Sequence, residues 1–409
     1  MAAVTEVPAR SATFREVFGV GEYRALWVAQ LVSIAGDQVA RLALAVLVFA
    51  RTGSAALAAV TFAVTAVAMF AGGLLFGWVA DRFPRRAVMV TCDVVCTGLV
   101  LVMAVPGVPV AVLVGLLFVV TLAVEPFLAA RQAVNRAVLG AERFQLGNGI
   151  TIATYQVAQL AGFAAGGVVV AAVGVRPALL VDAASFAASA VIVRVWVRSR
   201  PAAGGRSGPG SRGIWAGLRV VFGSPVARTA MLLMWCAAFA VVPEGVVAPL
   251  SASVGGGAEG VGWLLAAMAA GAAVGPLVFN RLVGPARRMR WTGVLAALAC
   301  AVLVLFWFGP GLAAAAVILA VSGLFTGYIA TAGGALFEAV PDGRRGQASG
   351  VVGAGMSLGQ GVVIVAAGVA AQRVSPGLVV ACTGAVGTVA AVWLAVVWRA
   401  IHRAGVAAR

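Results

Sequence analysis

The chain has 409 residues, 62% of them hydrophobic and only 10% charged, a balance that excludes a soluble globular domain. The net charge of +16 comes from arginine alone, because the sequence contains no lysine. Those arginines flank apolar segments, which argues for a bilayer partner and against a nucleic-acid one.

Twelve apolar stretches approach or exceed the roughly 20 residues that a bilayer-spanning helix needs. They fall at about 24–50, 54–80, 86–106, 108–130, 144–173, 177–198, 226–250, 258–281, 289–308, 311–337, 346–373 and 376–400. Barrel strands would be about half as long and would alternate in polarity. The predicted fold class is therefore an all-α polytopic membrane protein. An even number of crossings leaves both tails, 1–23 and 401–409, on one side. Apart from Arg41, Arg51, Arg176 and Arg373, every arginine lies in a tail, in a loop on that side, or at a helix end there. This asymmetry predicts cytoplasmic tails and a cell (inner or plasma) membrane location. Residues 1–23 carry no signal-peptide core, so the N-terminus is expected to stay inside.

In the first stretch Gln30, Ser33, Asp37 and Arg41 follow helical spacing and share one narrow polar face. Asp37 falls near mid-membrane, where a charge must face protein or water. Asp37 and Arg41 form either a neutralising i,i+4 pair that only holds helices together or a cavity-facing acid held by its arginine. The second and third stretches meet at Gly77, Asp81, Arg82, Arg85 and Arg86, a short charged turn. Asp93 in the third reads as structural. Glu125 precedes Pro126 in the inner part of the fourth. Helix 5 offers Tyr155, Gln156 and Gln159 to a cavity, followed by Gly162-Phe163-Ala164-Ala165-Gly166-Gly167, where small residues permit close approach. Asp182 near the outer end of helix 6 reads as interfacial.

Residues 199–225 are rich in Gly, Pro, Ser and Arg and read as a flexible cytoplasmic linker between bundles 24–198 and 226–400. Glu244 follows Pro243 in helix 7, where proline frees a carbonyl and disturbs the helix. Desolvation favours the protonated form of a carboxyl group. Asp37, Glu244 and then Glu125 are therefore the proton-coupling candidates, with Arg41 as partner. Helix 8 carries Gly271 and Gly275-Pro276; helix 10 adds Thr326, Tyr328 and Thr331 as cavity candidates; helix 11 holds Gly350, Gly353, Gly355 and Gly359. The five cysteines read as small apolar packing residues, and the single histidine, His402, lies in the tail. No metal site, cofactor or convergent catalytic cluster is expected, so an enzyme is disfavoured.

The stretch from Gly77 to Arg86 resembles the G-x-x-x-D-R-x-G-R-R signature between helices 2 and 3 of the major facilitator superfamily of transporters. Gly77, Asp81, Arg82, Arg85 and Arg86 match, and Pro84 replaces a glycine. Gly162, Gly166 and Gly167 resemble the G-P-x-x-G-G core found in exporters of that family, with Phe163 in place of proline. Leu26-Trp27 through Gly36-Asp37 is similar to the start of the macrolide and siderophore efflux branch. Weak internal echoes are consistent with an old duplication: Gly275 to Arg288 repeats the charged turn, and 142–149 repeats 342–350. The resemblance covers roughly residues 14–400. It implies the major facilitator fold, with two pseudo-symmetric six-helix bundles that alternate access. It also implies contacts between helices 5 and 8 and between 2 and 11, a gating role for Asp81 against helix 11, and a monomer moving a small molecule with protons. Export of a small amphipathic compound is the expected function; import of a nutrient on the same fold is the alternative.

Overall fold

The computed structural model describes residues 13–76, 79–200, 211–341 and 344–407. Twelve helices among them are long and apolar enough to cross a membrane. We number them α1 (Gly21–Thr52), α2 (Ala55–Phe76), α3 (Arg85–Met103), α4 (Val110–Gly140), α5 (Glu142–Val173) and α6 (Val175–Trp196) in the first half. The second half begins with α7, which runs as four short segments: Pro225–Trp235, Ala237–Ala240, Val242–Gly245 and Val247–Ser253. Then come α8 (Gly257–Leu282), α9 (Pro285–Ala301, finished by a 3-10 turn), α10 (Leu312–Glu338), α11 (Arg345–Ala370) and α12 (Pro376–Ala407). Large apolar side chains such as Val191, Val195, Trp307, Phe308 and Val389 stay exposed, as expected where hydrocarbon replaces water as the solvent.

Local chemistry explains the breaks. Pro243 has no N–H to donate, and α7 is interrupted on both sides of it. Gly140 adopts φ 68°, a left-handed conformation that glycine takes without strain, and it alone turns α4 into α5. The sequence placed α4's end at 130 and a loop up to 144; the helix instead continues through Arg131 and Asn135. Polar residues do not end a helix if a polar space receives them. A second departure is the linker. Residues 211–223 form a helix, Ser211–Gly223, whose Gly217 lies against the backbone of Gln347 at the start of α11.

The two halves repeat one tie. The Trp27 indole of α1 donates to Thr154 Oγ1 of α5 at 2.6 Å, and the Trp235 indole of α7 donates to the Val352 carbonyl of α11 at 3.1 Å. In each half the first helix is thus pinned to the fifth. The arginines outside the asymmetry have local reasons: Arg51 donates to the Val108 carbonyl and Arg176 to that of Ala104, both near the α3–α4 turn.

Glycines set the closest helix contacts, though not always those expected. Gly271 and Gly275 of α8 face α10 rather than α5: a Cβ on Gly271 would meet the Ala320 carbonyl oxygen, and one on Gly275 that of Leu324. Gly271→Val is therefore expected to cost at least about 1–3 kcal/mol through overpacking against backbone, which cannot step aside. A lower thermal unfolding midpoint in detergent checks this, and an unchanged midpoint refutes it.

Candidate functional site

The halves press together at the end of the bundle far from the tails. There a Cβ on Gly167 of α5 would lie 2.7 Å from the Gly262 Cα of α8. Gly368 of α11 packs on Ala59 of α2, Gly361 lies 3.4 Å from the Ala63 carbonyl oxygen by the same measure, and Gln372 donates to Ser54 Oγ at 2.8 Å. On the tail side Gly350, Gly353 and Gly359 of α11 face open space, and Gly355 meets Trp235 of α7. Ile152 and Tyr155 of α5 stay exposed there. The close glycine contacts between the halves thus fall at the far side, and on the tail side these α11 glycines meet no neighbour from the other half among the described residues. Of the exporter-like glycines, Gly167 sits at the seam between halves, whereas Gly162 and Gly166 fit α5 against Ala35 and Val39 of α1.

A void of about 290 Å³ runs into the tail half of the first bundle. The polar face of α1 lines it with Gln30, Ser33, Asp37 and Arg41, joined by Asp93 of α3, Glu125 and Arg131 of α4, and Thr151 and Tyr155 of α5. Arg41 Nε lies 2.9 Å from Asp37 Oδ2. Tyr155, Glu244 and Asp182 also lie within Coulombic reach of Arg41. One guanidinium therefore pairs with Asp37 of α1 and also feels the charge of acids from α6 and, in the other half, α7. Gln38 beside it is 1% exposed, with neither amide atom hydrogen-bonded.

Asp182 is not interfacial. It is 1% exposed and packs with Ser185 against Gly36, where a Cβ would lie 2.9 Å from its Oδ1 and 2.3 Å from Ser185 Oγ. Ser189, one turn further along α6, donates to Asp93 Oδ2 at 2.7 Å. The signal was present as Asp182, Ser185 and Ser189 on one helical face. A second void, about 340 Å³, lies nearer the tails between α4 and α5. It shares Glu125, Leu128, Arg131 and Thr151 with the first and adds Asn135, Phe144 and Asn148. Arg131 Nε and Asn135 Oδ1 are buried there without hydrogen-bond partners.

Other candidates lie elsewhere. Gln156, Gln159, Thr326 and Thr331 line neither void, and Tyr328 is buried at 1% exposure in the core of the second half. In the charged turn, Gly77 and the Asp81 side chain lie outside the described residues. Arg82 closes the short helix Val79–Arg82. Arg85 donates to the Ala133 carbonyl of α4 and Arg86 to Val197 at the end of α6, so the two arginines tie α3 to its neighbours.

Comparison with known proteins agrees with this geometry. The Major Facilitator Superfamily pattern matches residues 26–247, more than half of the chain. No curated protein matches the sequence. Among solved structures, a POT family transporter in complex with 5-aminolevulinic acid superposes with a TM-score of 0.74 at 11% identity, over 96% of this chain and 98% of that one. The nucleoside transporter NupG gives 0.71 at 15%, over 93% and 99%. A bacterial homolog of the human lysosomal transporter Spinster, inward-facing and unoccupied, gives 0.69 at 15%, over 95% of each chain. Identities this low carry the fold alone. With the matched pattern, the twelve helices and the two-half architecture together, the chain belongs to the major facilitator superfamily of transporters.

Proposed function

We propose that the protein exports a small amphipathic compound across the cell membrane while protons enter, by alternating access between two half-bundles. The observation that carries this reading is one cation within reach of acids from both halves. Arg41 holds Asp37 within one half and lies in reach of Glu244 from the other. Rocking the halves changes the Arg41–Glu244 separation while leaving the i,i+4 pair within one helix. A carboxylate exposed to the tail-side opening costs several kcal/mol to desolvate as an ion and much less once protonated. Closing around it therefore favours a bound proton, and substrate and proton bias the two conformations oppositely. Glu125 lines both voids and is a second place for a proton. The efflux-like pattern at Gly162, Gly166 and Gly167 favours export over the importer alternative.

Reconstituted vesicles with an imposed pH gradient test the function. Accumulation of lipophilic dyes or drugs against proton flow is the expected result. Uptake of polar nutrients only, along with protons, would replace export by import. Orientation has its own test. A cysteine at Gly208, in a background lacking Cys382, is expected to resist an impermeant thiol reagent in intact cells, and ready labelling would place the tails outside.

A further inference from the structure

An arginine inside a membrane bundle cannot shed its charge, so it needs an anion or a set of acceptors. This chain supplies them elsewhere. Arg41 has Asp37 at 2.9 Å, and Arg85, Arg86 and Arg176 each donate to a backbone carbonyl. Arg131 is treated differently. Its Nε is sealed from solvent without a hydrogen-bond partner, as are those of Arg41 and Arg85, but unlike theirs its guanidinium makes no ion pair or hydrogen bond among the described residues; the acids that form ion pairs there, Asp37 and Glu22, pair with other arginines. The Tyr23 hydroxyl lies within Coulombic reach, but it is itself occupied in donating to the Gly147 carbonyl at 2.9 Å.

Its position matters as much as its isolation. Arg131 belongs to the wall that the two voids share, between the tail-side vestibule and the chamber holding Asp37 and Tyr155. Asn135, one turn along α4, is 8% exposed and leaves its amide oxygen unpaired. Thr151 and Asn148 face them from α5. A fixed cation ringed by amide and hydroxyl groups, in a passage with apolar walls, suits one kind of guest: an acidic head on an apolar body. The carboxyl groups of the chamber do not oppose this, because a carboxyl group can be neutralised by a proton and a guanidinium cannot.

We infer that Arg131 recognises an acidic group on the transported compound, so that the substrate class is a small amphipathic anion, carboxylate-bearing or similar. The inference rests on the transport reading only in taking the two voids as the substrate's path. On entry the anion takes the place beside Arg131 that no side chain fills. If Arg131 merely extends its tip to tail-side water, the charge of the guest is irrelevant.

The test uses the full-length purified protein and matched probes: dansyl amino acids of graded size and their methyl esters. The acids are expected to bind at least about tenfold more tightly than the esters, the scale of a hydrogen bond to a charged group. Arg131→Gln is expected to bring the affinity of the acids down to that of their esters, and Arg131→Lys to keep part of the preference, because a lysine preserves the charge without the fork. Acid preference surviving in Arg131→Gln, or no Arg131-dependent acid binding across the panel, overturns the inference. Transport of the same probes in vesicles separates the two readings. Acids and esters moved alike leave export standing and remove the anion site. Arg131-dependent acid binding with no compound moved keeps the site and removes export.

Discussion

Vesicles carrying Glu244→Gln are expected to lose gradient-driven accumulation to background while still binding substrate. Glu244 stands on the broken stretch of α7 after Pro243, within reach of Arg41 across the seam. The amide keeps the shape and removes the proton-binding site that, among the described residues, the second half contributes to the cluster at Arg41. Asp37→Asn separates the remaining cases. If Arg41 and Asp37 stay closed throughout the cycle, Asp37 is a structural counter-ion. The Asn variant then lowers expression, because it removes the carboxylate that forms the ion pair with Arg41. If rocking or substrate parts the pair, Asp37 takes part in coupling and its loss uncouples transport without unfolding the protein. Both variants still concentrating substrate on a pH gradient would remove proton antiport as the mechanism.

Gly167→Val is expected to give the other large effect, on the balance of conformations rather than on binding. In the far-side seam the α-carbons of Gly167 and Gly262 approach so closely that neither position has space for a side chain. A valine there opposes closure with backbone on both sides. An overpacking cost of roughly 1–3 kcal/mol corresponds to a population shift of about fivefold to more than a hundredfold. Ser54 and Gln372 bond across the same end at 2.8 Å, so cysteines in their places report closure by crosslinking. The wild-type background should crosslink readily and the Gly167→Val background poorly. Equal crosslinking in both would show that this seam does not govern the equilibrium.

Much of this architecture was legible in the sequence, because hydrocarbon imposes length and apolarity on every span and arginine marks one side. The twelve spans, the kink at Pro243 and the polar face of α1 follow from residue type and spacing alone. Glycine partners do not. Gly271 and Gly275 carry the same small-residue signal as Gly167, but which neighbour each one meets depends on where the helix points around its axis, and that is decided by all twelve helices together. Tyr328 reads as a polar residue facing a cavity yet fills the core of the second half, since an aromatic ring with one hydroxyl suits either setting. Asp182 shows the reverse. A carboxyl group near a helix end ordinarily meets water, and only the packing of α6 on Gly36 of α1 puts it inside. Arg131 was obscured because α4 was expected to stop one residue earlier, which placed it in a loop.

The single-residue joint at Gly140 has a mechanical consequence. A loop of ten residues between two helices absorbs displacement as slack, whereas one glycine transmits it. The wall of both voids lies on one arm of this elbow, at Glu125 and Arg131. The seam residue Gly167 lies at the far end of the other arm, some 27 residues beyond the joint, or about 40 Å of helix at 1.5 Å per residue. A push of an ångström on the tail end of α4 therefore reaches α5 as torque about the glycine, and the length of α5 magnifies a small rotation at the elbow into a larger sideways travel at the seam.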